Sequence, residues 1–170
     1  EKVIGFYADN DDAFTGFLGN FHIHNDGMNR EYKVLAPNEK FYRCAEAAFQ
    51  AMKYPPKYHD QFLNLDGDDA FKLRNRIGLK EMISGWNQSR YDVMLTILRN
   101  KFNPKHNPEL AYLLEKTGNA HLVEHNMKKE DETVWSDAIY GEGCNVLGKM
   151  LEQVRQENRT GTLMIVKYSN

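Results

Sequence analysis

Two hydrophobic rhythms run along this chain of 170 residues. Short β-prone runs stand near its ends and before its first long apolar helix pattern. Val3-Ile4-Gly5-Phe6-Tyr7 predicts a strand, Tyr32-Lys33-Val34-Leu35 and Lys40-Phe41-Tyr42 predict a small hairpin, and residues 162–168 predict a closing strand. From residue 41 to residue 158 apolar positions recur at helical spacing. A helix is predicted over residues 41–54 and ends at Pro55-Pro56, where a second helix opens and runs to Leu65. Asp68 is placed to cap a third over residues 69–77, ended by Gly78. Tyr91, Met94, Leu95, Leu98 and Phe102 form the stripe of a fourth. Asn107-Pro108 starts a fifth, which stops at Gly118. Leu147, Met150, Leu151 and Val154 belong to a last helix, with Gly143 in a tight turn and Asn145 near its start. The fold class expected is mainly α (α+β with minor strands): a single compact helical domain over residues 1–170 with short peripheral β-strands. The aromatic- and glycine-rich run from 14 to 21 suits an ordered loop against the core.

The helix over 41–54 carries four alanines and little but small or apolar side chains, so most of its surface is expected to be buried. Glu46, Gln50 and Lys53 nevertheless fall at i, i+4 and i+7, in one row on one face. A carboxylate in such surroundings costs free energy unless something pairs with it. It belongs either to a structural ion pair with a nearby arginine, the simpler reading from composition, or to a site.

Charge narrows the field. Lys plus Arg number 22 and Asp plus Glu 24, a net charge of −2. That argues against holding duplex nucleic acid by bulk electrostatics, while leaving room for a local basic patch. Arg74 and Arg76, at the end of the third helix, suit either the helix C-terminus or an anion, and the former is the simpler. Cys44 and Cys144 lie far apart and are expected as free thiols in a reducing compartment. No apolar run approaches membrane-spanning length, and the first residues do not read as a signal peptide. A cytoplasmic protein is expected, or a nuclear one in a eukaryote.

Three short patterns invite chemistry and carry little. His22-Ile23-His24 has metal-like spacing but no third ligand nearby. His121 and His125, with Glu124 beside the second, would suit zinc only on a helix. Residues 143–150 have the spacing of a phosphate-binding loop. However, Met150 stands where a magnesium-binding hydroxyl is needed, and the run has no strand before it. The helix N-terminus there could still attract an anionic group.

Several separate stretches line up with one family. Phe17-Leu18-Gly19-Asn20-Phe21, Glu46-Ala47-Ala48-Phe49-Gln50-Ala51 with Lys53, Trp86 before Arg90 and Met94, Lys101-Phe102, Thr117-Gly118, Leu122-Val123-Glu124, Trp135, and Gly143-Cys144-Asn145-Val146-Leu147-Gly148-Lys149 with Arg155 occur in one order across nearly the whole chain. In this the chain resembles the NADAR family, the YbiA-like N-glycosidases. The resemblance implies a mostly helical fold and hydrolysis of an N-glycosidic bond. Substrates in the family are ADP-ribose on guanine bases and an early riboflavin-pathway aminopyrimidine ribotide. It places the family's motif glutamate on Glu46 and its second acid on Glu132, with Asp131 alongside. Asn20, Phe21, Arg43, Gln50, Lys53, Trp86, Trp135, Gly143 and Asn145 are the implied substrate-binding residues. Departures stand at Ser136, where a glycine follows the tryptophan, at Gly19 for a serine, and at Ala47-Ala48 for a His-Tyr pair.

The chemistry agrees. Breaking a ribosyl C–N bond develops positive charge on the sugar. A buried carboxylate can stabilise that charge and activate water. Trp86, Trp135 or Phe21 can stack on a planar base, and Lys53 can hold a phosphate. No cofactor or metal is expected, and no obligate protein partner or membrane. The expected partner is ADP-ribosylated guanine in DNA or RNA, or a small ribotide. Two other classes stay open: a module that binds ADP-ribose without cleaving it, and a helical interaction domain.

Overall fold

The structure, a computed structural model, describes residues 2–7, 14–25, 28–126, 133–138 and 140–169. In chain order the elements are β1 (Val3–Tyr7), β2 (His24–Asn25), β3 (Glu31–Tyr32), β4 (Val34–Leu35), β5 (Phe41–Tyr42), α1 (Ala45–Met52), α2 (Gly67–Ile77), α3 (Trp86–Lys101), α4 (Pro108–Lys116), β6 (His121–His125) and α5 (Val146–Thr160). Helices dominate and the strands are short, as the apolar spacing predicts. The chain divides into a terminal unit, Glu1–Gly19 with Phe102–Asn170, and a central unit, Asn20–Lys101.

In the terminal unit β1 and β6 pair in parallel, Val3 opposite His121 and Tyr7 opposite His125. Parallel neighbours need a long crossover, and here most of the chain lies between them. α5 packs on β6 and on α4. The stripe Val146, Leu147, Met150, Leu151 and Val154 is buried. Gly148 permits this approach, because a Cβ there would run into the Leu122 carbonyl oxygen. Phe17 and Leu18, on a 3₁₀ turn, are buried, so the aromatic run does lie against a core.

In the central unit α1 is the middle of the core. It packs on α2, on α3 and on the hairpin of β4 and β5, whose register sets Val34 against Tyr42. All eight residues of α1 are buried.

Four expectations change. The helix expected over residues 41–54 runs only from Ala45 to Met52, because Phe41–Tyr42 pair with β4 as β5 and Cys44 caps the helix. Residues 162–168 form no strand, because among the described residues no strand takes up their backbone. The segment lies on α5 through side chains instead: Gln153 Nε2 donates to the Met164 carbonyl, the Met164 amide to Glu157, and the Tyr168 hydroxyl to Gln153. The run after Pro55 is a 3₁₀ helix, Pro56–Phe62, rather than an α-helix. α2 is capped by Asp66, whose carboxylate accepts from the Asp69 amide at 2.8 Å; Asp68 lies inside the first turn.

Candidate active site on α1

The sequence starts α1 at Cys44, whose sulfur accepts from the Ala47 amide at 3.5 Å. Burial pushes this thiol up to about 11, so it stays protonated near neutrality. Glu46 follows in the first turn, where the helix dipole favours a carboxylate. It is only 9% exposed. Gln50, one turn on, donates from Nε2 to Glu46 Oε1 at 2.6 Å, the contact that i, i+4 spacing predicts. The Glu46 amide donates to the Asn20 carbonyl at 2.9 Å and so ties Asn20 to the start of the helix. Asn20 is itself buried, with Nδ2 toward the Met94 sulfur at 3.7 Å. Asn20 Oδ1 and Gln50 Oε1 are buried acceptors with no hydrogen-bond donor. Such atoms are rare in a finished core and mark a place where polar groups serve something besides packing.

Lys53 closes the row. Its ammonium lies 5.0 Å from the centre of the Phe49 ring and 6.0 Å from that of Trp86, whose rings meet at 5.1 Å. Phe21 lies against Gly67, where a Cβ would strike its ring. Arg43 is engaged with Glu31, Nε and Nη2 reaching the carboxylate at 2.9–3.2 Å. That pairing lowers the Glu31 carboxyl and raises the Arg43 guanidinium from their ordinary values. Asn20, Phe21, Arg43, Glu46, Gln50, Lys53 and Trp86 thus all belong to the central unit, three of them on one helical face.

The same unit buries a group whose burial the sequence reading did not foresee. Lys101, the last residue of α3, is almost wholly buried, and that burial pulls its ammonium down to about 7. Burial, followed by the charges of Lys101 and His24, lowers His22 to about 4. His22 Nε2 and His24 Nδ1 approach to 3.3 Å. The sequence signal for Lys101 was its place at the end of an apolar stripe, where a lysine ordinarily reaches solvent.

The remaining implicated residues fall in the terminal unit. Glu132 and Asp131 lie outside the described residues. Trp135 is half-buried, and its carbonyl accepts from the Leu147 amide at 3.1 Å. Gly143 is pressed against the Ser136–Asp137 backbone, with no room for a side chain. Asn145 takes a left-handed conformation and caps nothing. Its Nδ2 donates to the Leu122 carbonyl at 2.8 Å and its Oδ1 accepts from the Glu124 amide at 3.0 Å, fastening the start of α5 to β6.

The reading of the α5 N-terminus as an anion site is overturned. The amides of Asn145, Val146 and Leu147 donate to the carbonyls of Ser136, Val134 and Trp135. Those donors are spent on backbone. His121 and His125 lie on a strand rather than a helix; each pairs with a carboxylate, His121 with Glu152 at 3.5 Å and His125 with Asp137 at 2.6 Å. Asp137, two residues after Trp135, was not anticipated. Among the described residues no group of three His, Cys, Asp or Glu could hold a metal, and no helix is long and apolar enough to cross a membrane.

What α1 and the adjoining Asn20 offer chemically is a buried carboxylate held in a fixed orientation, two open acceptors, and a cation over aromatic rings. These suit charge stabilisation at a sugar carbon and recognition of a ligand with its own donors and a planar part.

Comparison with known proteins agrees over nearly the whole length. N-glycosidase YbiA of Escherichia coli (strain K12) is 28% identical over 158 residues, covering 92% of this chain and 89% of the relative. A riboflavin biosynthesis protein of Vibrio vulnificus is 31% identical over 159 residues, 92% of this chain but 39% of that protein. The solved NMR structure of E. coli YbiA superposes with a TM-score of 0.73 at 28% identity, covering 94% of this chain and 86% of that one. The NADAR domain model matches residues 5–159, and the chain belongs to the NADAR family.

Proposed function

We propose that this protein is an N-glycosidase. It hydrolyses the bond between a base and a phosphorylated ribose, and its favoured substrate is ADP-ribose on a guanine base of DNA or RNA. One observation carries the reading: Glu46 is a buried carboxylate, oriented by Gln50 at 2.6 Å, and the family resemblance assigns its motif glutamate to this residue. As the C–N bond breaks, its electron pair leaves with the base nitrogen and C1′ becomes cationic. Glu46 stabilises that cation and accepts a proton from the water whose oxygen bonds to C1′. The base takes up a proton as it leaves; the family resemblance assigns this acid to Glu132. Lys53 holds a phosphate, Trp86 and Phe21 flank the base, and Asn20 and Gln50 accept from ligand hydroxyls. The family resemblance also implies Arg43, Trp135, Gly143 and Asn145; of these Asn145, whose amide is spent on β6, acts by positioning the start of α5. The free thiols Cys44 and Cys144 fit a cytoplasmic setting.

The aminopyrimidine ribotide is the second substrate, favoured by the name of the Vibrio relative. The test is Glu46→Gln, with free ADP-ribose measured from an ADP-ribosylated guanine oligonucleotide and base release measured from the ribotide. Turnover falls by on the order of a hundredfold or more, while the variant stays folded and binds ADP-ribose. A folded variant with near-normal turnover removes Glu46 from the reaction. A stability loss of roughly 3–5 kcal/mol identifies a structural ion pair instead. Wild-type protein that binds ADP-ribose and cleaves neither substrate is the binding module.

A further inference from the structure

Gln50 does more than hold Glu46. Its Nε2 is spent on Glu46 Oε1 at 2.6 Å, yet its own Oε1 is a buried acceptor with no donor, on a residue only 3% exposed. A glutamine kept only to orient a carboxylate would place that oxygen in water or on a backbone amide. The nitrogen and oxygen of one amide share a carbon, so the open oxygen lies beside the Glu46 carboxylate. Asn20 carries the other open acceptor of this unit's site but meets Glu46 through its backbone carbonyl, which accepts from the Glu46 amide at 2.9 Å. Of the two, Gln50 is the one whose side chain touches the carboxylate.

That placement decides what the oxygen can read. Glu46 stabilises positive charge at C1 of the scissile sugar. The nearest hydroxyl to that carbon is the one on C2. Charge on C1 makes this hydroxyl a stronger donor, so a hydrogen bond from it tightens as the C–N bond breaks. A buried acceptor favours a sugar that carries the hydroxyl. It disfavours one that lacks it, because the acceptor then stays desolvated and unpaired.

We propose that Gln50 Oε1 accepts from the 2-hydroxyl of the scissile sugar and that this contact selects which glycosidic bond is cut. The selection rests on the reading of the substrate as a base on a phosphorylated ribose. A guanine of DNA that carries ADP-ribose has two sugar–nitrogen bonds, one to ribose and one to the deoxyribose of the strand. The deoxyribose bond is intrinsically the more labile, since a 2-hydroxyl withdraws electrons from the cationic carbon. Stabilisation by Glu46 alone would therefore favour the wrong bond and leave an abasic site. Gln50 reverses that preference: ribose supplies the missing donor and deoxyribose has none to supply.

The experiment uses the full chain, with ribose 5-phosphate and 2-deoxyribose 5-phosphate as probes in isothermal titration calorimetry. Wild-type protein binds the ribose about tenfold or more tightly than the deoxyribose. In Gln50→Met, a side chain of similar length and helix propensity, the two affinities come within about twofold of each other. Comparing two sugars on one variant cancels any effect that reaches both through Glu46. Cleavage reads the same contact. Wild-type protein releases ADP-ribose from a modified DNA oligonucleotide without alkali-labile abasic sites, and kcat/KM for the ribotide exceeds that for its 2′-deoxy analogue by about a hundredfold or more. Equal binding of the two sugars by wild-type protein, binding of neither, abasic sites formed as fast as ADP-ribose, or full discrimination by folded Gln50→Met overturns the proposal. The wild-type comparison decides by itself if Gln50→Met does not fold. Any of the overturning results with ADP-ribose still released leaves the glycosidase reading intact. Discrimination between the sugars with no substrate cleaved overturns the glycosidase reading and leaves the selection by Gln50 standing.

Discussion

The start of α5 and the face of α1 each depend on an asparagine, with opposite outcomes. Asn145 spends both ends of its amide on the β6 backbone, and the amides around it close onto the 133–137 carbonyls. The Asn145 side chain and the amides of residues 143–147 are consumed by structure, while Asp137 Oδ1 beside them is a buried atom with no partner. Gln50 on α1 and Asn20 against its first turn are more deeply buried, and each keeps an acceptor with no donor. Folding free energy alone would not preserve that arrangement, since an apolar isostere would remove the desolvation cost. Residue type and burial therefore do not distinguish a joint from a site. For the two asparagines, hydrogen-bond satisfaction of the side-chain amide does.

The contrast is broken most severely at the joint. Gly148→Ala drives a methyl group into the Leu122 carbonyl, and a loss of more than about 4 kcal/mol is expected, enough to unfold a marginal domain. Urea denaturation measures it; a loss under about 1 kcal/mol would mean that α5 does not sit against β6 as described.

Asn145→Ala strands the Leu122 carbonyl and the Glu124 amide and strains a left-handed residue. About 3 kcal/mol is expected, and Asn145→Gly recovers about 1 kcal/mol of it by relieving the backbone. Equal losses in the two variants would assign the whole effect to the side chain.

The buried lysine of the central unit gives a pH signature. Lys101 is neutral in the folded protein above about 7 and charged in the unfolded chain up to its ordinary 10.5. The unfolded state binds the extra proton in that window, so stability rises with pH from about 7. The slope approaches 1.4 kcal/mol per pH unit. Between about 9 and 11 the buried Cys44 thiol opposes it, because the unfolded thiol ionises first. Lys101→Met flattens the rise between about 7 and 9. Chemical denaturation at stepped pH reads both curves, and an unchanged slope in the variant would assign the effect elsewhere.

The smallest stability effect belongs to Asn20→Ala. Its Oδ1 has no donor and its Nδ2 meets only a sulfur, so stability falls by no more than about 1 kcal/mol, read from the thermal midpoint. The efficiency of base release falls about tenfold if Asn20 binds substrate. A stability loss like that of Asn145→Ala would erase the distinction between the two regions.

Much of this was legible from one dimension. The apolar spacing gave α1, α3, α4 and α5, the β4–β5 hairpin, and the row of Glu46 with Gln50, because 3.6-residue periodicity and i, i+4 neighbours are local properties of the chain. The order of the motif residues gave the family. Tertiary structure alone decided the rest. The apolar run 162–168 has the composition of a strand but no partner strand among the described residues. Residues 121–125 pair with β1 because of a neighbour more than a hundred positions away. The amides at the start of α5, open by local rules, are closed by a segment ten residues earlier. Lys101 reads as surface and is core. In each case the energy belongs to a contact between distant residues, and the sequence names the two groups without stating that they meet.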